Sequence, residues 1–224
     1  MATLIRKIDF RWTLLIALAA CAATAAYLSG ASAVSHLVAE RHAIAAGQVW
    51  RLFTGPLVHA TWGHLVRDLA LLVGVGVAFE HALGWRWPLA CVLGLVGPTA
   101  LAFAFNSSLA GFYGTSGLTH TVLAAAMVHV IVREQNAPRW LRALAVTGAT
   151  LLAIKVGFEA IANRPMFPMN LGPGVRQLPI AHLVGALLGV VAAFCRRPVE
   201  AALPDRWPGA VTPERPPAQR DTGR

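Results

Sequence analysis

Long apolar segments alternate with short polar stretches along most of the chain. Six segments stand out, at residues 12–29, 64–83, 88–105, 116–132, 140–162 and 179–195. Most contain about 17–20 residues, and at 1.5 Å per residue such a helix spans about 25–30 Å, close to the thickness of the hydrocarbon core of a bilayer. The pattern therefore predicts an all-α, polytopic membrane protein with six transmembrane helices.

The first segment has the features of a secretory signal peptide, because Arg6, Lys7 and Arg11 precede an alanine-rich apolar run. A cleaved signal peptide is usually followed by a polar mature domain, whereas more apolar segments follow here. We therefore expect this segment to be retained as the first transmembrane helix.

The composition agrees with a membrane protein. Of the 224 residues, 56% are hydrophobic and 13% are charged, against about 25% charged residues in soluble domains. The formal net charge of +9 comes from scattered basic residues that form no stripe, which argues against nucleic acid as a partner. Neither a disulfide nor a metal site is expected from the cysteines, which lack metal-ligand spacing and lie in or beside apolar segments: Cys21, Cys91 and Cys195.

The basic residues between the segments predict the orientation, since cytoplasmic loops carry an excess of lysine and arginine. A cytoplasmic N-terminus places on the inner side Arg6, Lys7, Arg11, Arg86, Arg133, Arg139, Arg142 and the arginines from Arg196 onward. The outer side then holds Arg41, Arg51, Arg164 and Arg176. We expect residues 1–11 to form a cytoplasmic N-terminus, residues 12–195 the membrane domain, and residues 196–224 a disordered, basic, proline-rich cytoplasmic tail.

A first candidate for chemistry is the run Gly114-Thr115-Ser116-Gly117, at the start of the fourth segment. Glycines let the backbone turn tightly, and a serine at a helix N-terminus lies near unpaired amides that favour developing negative charge. Both features suit a serine nucleophile and the oxyanion that it generates. The run by itself also fits a serine that caps an ordinary helix.

A second candidate is His182 in the sixth segment. Gly185 and Gly189 open one helix face to close packing, and His182 lies about one turn before Gly185 on that face. The fourth and sixth spans run in the same direction, so Ser116 and His182 fall toward the outer side at similar depth. They could form a nucleophile–base dyad, with no acidic third member evident beside His182. The structural alternative is a histidine that bonds a stray carbonyl.

A third group precedes and opens the second segment. It consists of the Trp50-Arg51 pair, His59, His64 and Asp68. His64 and Asp68 are four residues apart and therefore share a helix face near the outer end of that span, level with the suggested dyad.

Together these motifs resemble the rhomboid family of intramembrane serine proteases. The third group matches the order and spacing of that family's first loop and second span, residues 114–117 resemble its Gly-x-Ser-Gly, and residues 181–189 resemble its Ala-His-x-x-Gly-x-x-x-Gly. The resemblance covers about residues 48–195. It implies a six-transmembrane-helix rhomboid-like bundle in which Ser116 is the nucleophile and His182 the general base.

The resemblance also implies roles for the surrounding residues. His64 would stabilise the oxyanion together with the backbone N–H of Ser116, and Trp50 and Arg51 would belong to a loop at the outer membrane edge. Asp68 stands where many rhomboids have asparagine. The difference matters because an ionised carboxylate cannot donate a hydrogen bond to an oxyanion. A neutral Asp68 could still donate, or Asp68 could orient His64 or pair with a cation.

His120, one helical turn after Ser116, is a second departure from the family pattern. Many rhomboids carry there an aromatic residue that packs on the catalytic histidine, and an imidazole could stack in the same way, hydrogen-bond, or act as a rival base. Gly-x-Ser-Gly-x-x-His resembles the rhombosortase branch, bacterial six-span relatives associated with substrates that carry a C-terminal Gly-Gly motif, a transmembrane helix and a basic end.

Two further pairs of polar residues lie in or beside the apolar segments. Lys155 and Glu159 are four apart in the fifth span and suggest a structural ion pair, buried toward the bundle or near a substrate gate. Metal binding by His59 and His64 is conceivable, but a spacing of five residues does not place both on one helix face. No metal and no cofactor are expected.

The expected function is therefore an intramembrane serine endopeptidase that cleaves membrane-anchored proteins near a transmembrane segment, or transfers the acyl group if another nucleophile replaces water. It would lie in the lipid bilayer of a bacterial inner membrane, with an active-site cavity opening to the periplasmic side. The alternatives are a catalytically inactive rhomboid-like protein that binds transmembrane helices, which Asp68 favours, and a transporter. A transporter would need polar residues along a path through several spans, whereas these cluster at one depth.

Overall fold

The computed structural model describes residues 10–168, 170–171 and 175–196. Most of the predicted N-terminal segment 1–11 and tail 196–224 lies outside the described residues. In chain order the elements are α1 (Arg11–Leu28), β1 (Ala39–Glu40), α2 (Arg41–Ala45), α3 (Arg51–Thr54), α4 (Trp62–Leu83), α5 (Arg86–Phe105), β2 (Gly111–Phe112), α6 (Ser116–Arg133), α7 (Arg139–Ala162) and α8 (Pro179–Phe194), with 3-10 turns at Ser32–His36 and Gly55–Leu57.

Each of the six predicted segments is a helix, which confirms the all-α polytopic class. Within the described chain, five helices are long and apolar enough to cross a membrane, namely α1, α4, α5, α6 and α7. The sixth, α8, is apolar but shorter, with 16 residues, or about 24 Å of helix.

Local sequence signals set where several helices begin and end. The Thr61 side chain accepts a hydrogen bond from the backbone N–H of His64 at 3.1 Å and so caps α4. Pro179 occupies the first turn of α8, where its missing N–H costs no hydrogen bond. Asn163 ends α7 in the left-handed conformation, with φ of 47°, which asparagine tolerates.

The helix α6 lies at the centre of the bundle and packs against α4, α5, α7 and α8. In its most apolar stretch 67% of the residues are buried, more than in any other spanning helix of the described chain, as predicted for the fourth span. Its most extensive contact is with α8. Gly185 and Gly189 form that contact, because a side chain on either would overlap the backbone of α6 at Gly117 or Thr121. The predicted close-packing face of the sixth span is therefore confirmed.

The connection between α1 and α4 is folded by contacts with residues distant in the chain. Its strand β1 pairs antiparallel with β2 from the connection before α6, with Ala39 opposite Phe112. The buried guanidinium of Arg51 donates to the carbonyl oxygens of Ser35 and Val38, both at 2.6 Å. Arg51 thus fixes this connection from inside, whereas Trp50 is 50% exposed.

Candidate active site

Ser116 begins α6 at the edge of a cavity of about 570 Å³. His64 from α4 and His182 from α8 line the same cavity. The Ser116 hydroxyl makes no hydrogen bond with any residue that the structure describes, so it is available to a bound molecule. Three of the residues predicted for the site therefore meet at one cavity.

Close packing of α6 on α8 brings Ser116 and His182 together. A Cβ atom at Gly185 would lie 3.3 Å from the Cα atom of Gly117, and a Cβ atom at Gly117 would lie 3.5 Å from the carbonyl oxygen of Ala181. Ser116 directly precedes Gly117, and His182 directly follows Ala181. The glycine contact is therefore what sets the two candidate residues beside each other.

The preceding glycine, Gly114, shapes the approach to Ser116. Its φ angle of 89° lies in the left-handed region that side chains rarely adopt. A side chain there would also overlap the ring of His64 and come within 3.3 Å of Asp68 Oδ2. Its backbone N–H donates to the carbonyl oxygen of Val58 at 2.8 Å. Glycine is thus required for this turn to lie against the histidine.

His182 has an acidic partner that was not evident from the sequence. Oε2 of Glu159 on α7 lies 2.7 Å from His182 Nδ1. Lys155 Nζ lies 2.7 Å from the same oxygen and 3.2 Å from His182 Nδ1. The predicted ion pair between Lys155 and Glu159 is confirmed, but it also joins the candidate site rather than standing apart from it.

His120 packs flat on His182. The ring centroids are 4.3 Å apart and the planes differ by 11°. Nδ1 of His120 lies 2.6 Å from the carbonyl oxygen of Ser116, and Nε2 lies 3.0 Å from Lys155 Nζ. Both expected modes of contact, stacking and hydrogen bonding, are present. With both ring nitrogens engaged in this way, His120 is poorly placed to act as a rival base for the Ser116 hydroxyl.

His59, His64 and Asp68 form a buried cluster beside the cavity. Asp68 Oδ2 lies 3.3 Å from His59 Nε2 and 3.5 Å from His64 Nε2. The backbone N–H of Thr115 donates to His59 Nε2 at 3.3 Å, which ties the cluster to the turn before Ser116. His59 lies in the loop before α4, so it can approach His64 without sharing a helix face with it.

This cluster is also the place where the described residues could hold a metal ion. One ligand atom from each of its three members lies within 4.8 Å of the others, and imidazole with carboxylate is a set that binds zinc or iron. Each of the three atoms also has a protein neighbour within 3.5 Å, as described above. Thr115 also hydrogen-bonds to His59 Nε2 and to Asp68 Oδ2, at 3.3 and 3.4 Å, so two of the three ligand atoms already have a protein partner outside the cluster.

Tyr113 lies in the connection before α6, outside the spanning helices, and lines the cavity. Burial, and next its hydrogen bond with Tyr27, raise the pKa of the Tyr113 phenol to about 12. The hydroxyl therefore stays protonated at neutral pH and can donate a hydrogen bond.

The family model of the Rhomboid domain matches residues 46–199, which is more than half of the chain. The chain belongs to the rhomboid family. Rhomboid proteins are generally intramembrane serine proteases, although inactive members exist. The match spans α3 to α8 and so includes every described residue that lines the cavity except Tyr27. No curated protein matches the chain.

The sequence left two members of this rhomboid site unassigned, Glu159 and His59. Glu159 carried a usable signal, since a carboxylate near the outer end of the fifth span lies level with His182 in the sixth. Its four-residue spacing from Lys155 supplied a sufficient local explanation instead. His59 was visible as the histidine eight residues after Arg51, but its partners come from α1 and from the turn before α6.

Proposed function

We propose that this rhomboid protein is an intramembrane serine endopeptidase in which Ser116 is the nucleophile and His182 the general base. The observation that carries the proposal is the convergence of Ser116, His182 and His64 on one cavity. Acyl transfer needs a nucleophile, a base and an oxyanion donor. Here a serine at a helix N-terminus, whose hydroxyl is unbonded among the described residues, lies with a histidine of the adjoining helix and a further imidazole.

In this mechanism His182 Nε2 takes the proton of the Ser116 hydroxyl as Oγ bonds to the scissile carbonyl carbon. The carbonyl oxygen becomes an oxyanion, and His182 then gives the proton to the leaving amine nitrogen as the C–N bond breaks. Water then attacks the acyl-enzyme, with His182 again as the base. His182 returns the proton to Ser116 Oγ as the ester bond breaks and the new C-terminus is released. Another nucleophile in place of water would make the reaction an acyl transfer.

The oxyanion would be held by His64 and by the backbone N–H of Ser116. That N–H lies in the first turn of α6, where amides have no partner within the helix. The 3.5 Å contact between His64 Nε2 and Asp68 is longer than an ordinary hydrogen bond, so an N–H at Nε2 remains free to turn to the oxyanion. Asp68 then acts by orienting His64, not by contacting the substrate.

The substrates we propose are membrane-anchored proteins cleaved near a transmembrane segment, in the manner of the rhombosortase branch. His120 supports this finer assignment, because it packs on His182 in the position that marks that branch. The protein would span a bacterial inner membrane with both termini cytoplasmic and the cavity facing the periplasm, as the distribution of arginine and lysine favours. Residues 12–195 would form the membrane domain and residues 196–224 a cytoplasmic tail.

Labelling with a fluorophosphonate probe in detergent micelles tests the nucleophile. Wild-type protein should be labelled, and Ser116→Ala and His182→Ala should not. Ser108→Ala is the matched control, because Ser108 lines the same cavity and should be dispensable. Equal labelling of wild type and Ser116→Ala, or no labelling of wild type, would overturn the protease proposal, and the second result would favour an inactive helix-binding relative.

The substrate assignment has its own test. A reporter protein ending in a Gly-Gly motif, a transmembrane helix and a basic end would be reconstituted with the enzyme in liposomes. We expect cleavage by wild type and not by Ser116→Ala, and loss of cleavage when both glycines are replaced by valine. If the enzyme is labelled by the probe and cleaves the Gly-Gly and double-valine reporters equally, the protease proposal stands and the rhombosortase assignment fails.

A further inference from the structure

Glu159 is a buried carboxylate that a serine–histidine dyad leaves without a role. Its side chain is 1% exposed, and Oε2 lies 2.7 Å from His182 Nδ1. The Lys155 ammonium lies 2.7 Å from the same oxygen, so Glu159 is paired as a carboxylate, which only accepts hydrogen bonds. Because that oxygen only accepts, the 2.7 Å contact places the hydrogen of His182 on Nδ1, and Lys155 Nζ, 3.2 Å from the same nitrogen, donates to the carboxylate instead. In the neutral ring that leaves Nε2 with a free lone pair.

We propose that Glu159 is a positioning residue for His182, holding its imidazole in the tautomer and orientation in which Nε2 can take the Ser116 proton. This inference rests on the proposed function of the dyad and extends it to a serine–histidine–glutamate arrangement. In such an arrangement the acid fixes the histidine and stabilises the imidazolium that forms, without itself taking the proton.

Lys155 and His120 complete the support of the His182 ring. His120 covers one face of the ring at a centroid distance of 4.3 Å, while Glu159 holds its edge at Nδ1. Because the Ser116 carbonyl only accepts, the 2.6 Å contact places the hydrogen of His120 on Nδ1, and His120 Nε2 can accept from Lys155 at 3.0 Å. Lys155 thus links the two histidines through the carboxylate and balances its charge in the low dielectric of the bundle.

The hydrogen bonds of Glu159 indicate what its replacement by the neutral glutamine would do. Oε1 accepts from the backbone N–H of Met166 at 3.1 Å, while Oε2 accepts from Lys155 and His182. Glutamine offers one acceptor oxygen and an NH2 group that donates. If its oxygen faces Met166, its NH2 group faces His182 Nδ1 and favours the opposite tautomer, with the hydrogen on Nε2. The base nitrogen of His182 would then be blocked.

The test compares Glu159→Gln with Glu80→Gln as its matched control. Glu80 is likewise buried in the bundle, at 4% exposure, but its carboxylate binds the start of α1 at Trp12 and Thr13, away from the cavity. We expect Glu159→Gln to lower the rate of fluorophosphonate labelling by about 100-fold or more, as loss of the correct histidine tautomer does in serine proteases. Glu80→Gln should label within about 2-fold of wild type. Glu159→Asp, which keeps the carboxylate one methylene short, should fall between them.

Nitrogen-15 NMR of histidine-labelled protein supplies a readout that a purely structural role would not move. With the His182 signals assigned by their loss in His182→Gln, wild type should carry hydrogen on Nδ1, and Glu159→Gln should shift it to Nε2. Hydrogen on Nε2 in wild type, or labelling of Glu159→Gln as fast as that of Glu80→Gln, would overturn the inference. If wild type does not label at all, the protease proposal fails, while the tautomer of His182 still decides the role of Glu159.

Discussion

Replacing Gly185 by alanine perturbs the contact between α6 and α8 that sets Ser116 beside His182. The added methyl group would overlap the carbonyl oxygen of Gly117 and lie 3.1 Å from its carbonyl carbon. These are backbone atoms of the turn that carries Ser116, so no side chain can rotate away. Ordinary carbon contacts are about 3.5–4.0 Å, and we therefore expect α6 and α8 to separate by about 1 Å.

The separation has two consequences of different size. Overpacking costs about 1–3 kcal/mol and alanine recovers about 1 kcal/mol relative to glycine in a helix, so the net destabilisation of Gly185→Ala should be at most about 2 kcal/mol. The same movement withdraws His182 from Ser116, and a misplacement of about 1 Å can lower a rate by about 100-fold. The loss of labelling should therefore be much larger than the loss of stability suggests.

The assay measures fluorophosphonate labelling rate and the thermal unfolding midpoint in the same micelles. Gly157→Ala in α7 is the matched control, because among the described residues no atom outside the neighbouring helix backbone lies within 4 Å of its added methyl group. It should label like wild type and unfold at the same temperature or slightly higher. Equal labelling rates and equal midpoints for the two alanine variants would refute the claim that the contact between Gly185 and Gly117 sets the site.

Two further substitutions test the surroundings of the dyad. Asp68→Asn should label within about 10-fold of wild type, because an amide can still make polar contacts with the two imidazoles. Asp68→Leu should lose about 100-fold or more, because it removes the carboxylate beside the buried His64 ring. An equally large loss of labelling in both variants would instead make the carboxylate charge essential. Glu80→Ala should lower the unfolding midpoint by several degrees without changing labelling, because three donors from Trp12 and Thr13 lose their acceptor; an unchanged midpoint would contradict that role.

The sequence alone determined the helices and the family resemblance. Both ends of each predicted span lie within two residues of the ends of a helix in the structure. Bilayer thickness fixes the length of an apolar run, and a chain in lipid must satisfy its backbone within each helix. Ser116, Gly185 and His182 were recognisable for the same reason, since their signals are spacings within a single helix or turn.

Only the tertiary structure decided which polar side chains share hydrogen bonds. Glu159 and His182 are separated by 23 residues and lie on different helices, so no periodicity along the chain can show that they meet. The local pairing of Glu159 with Lys155 also accounted for both charges and gave no reason to seek another partner. The contacts of His59 were equally hidden from the sequence, because its partners Thr24 and Thr115 come from distant parts of the chain. Helix spacing is a local property, whereas the orientation of the proposed base depends on how α6, α7 and α8 rotate and pack against one another.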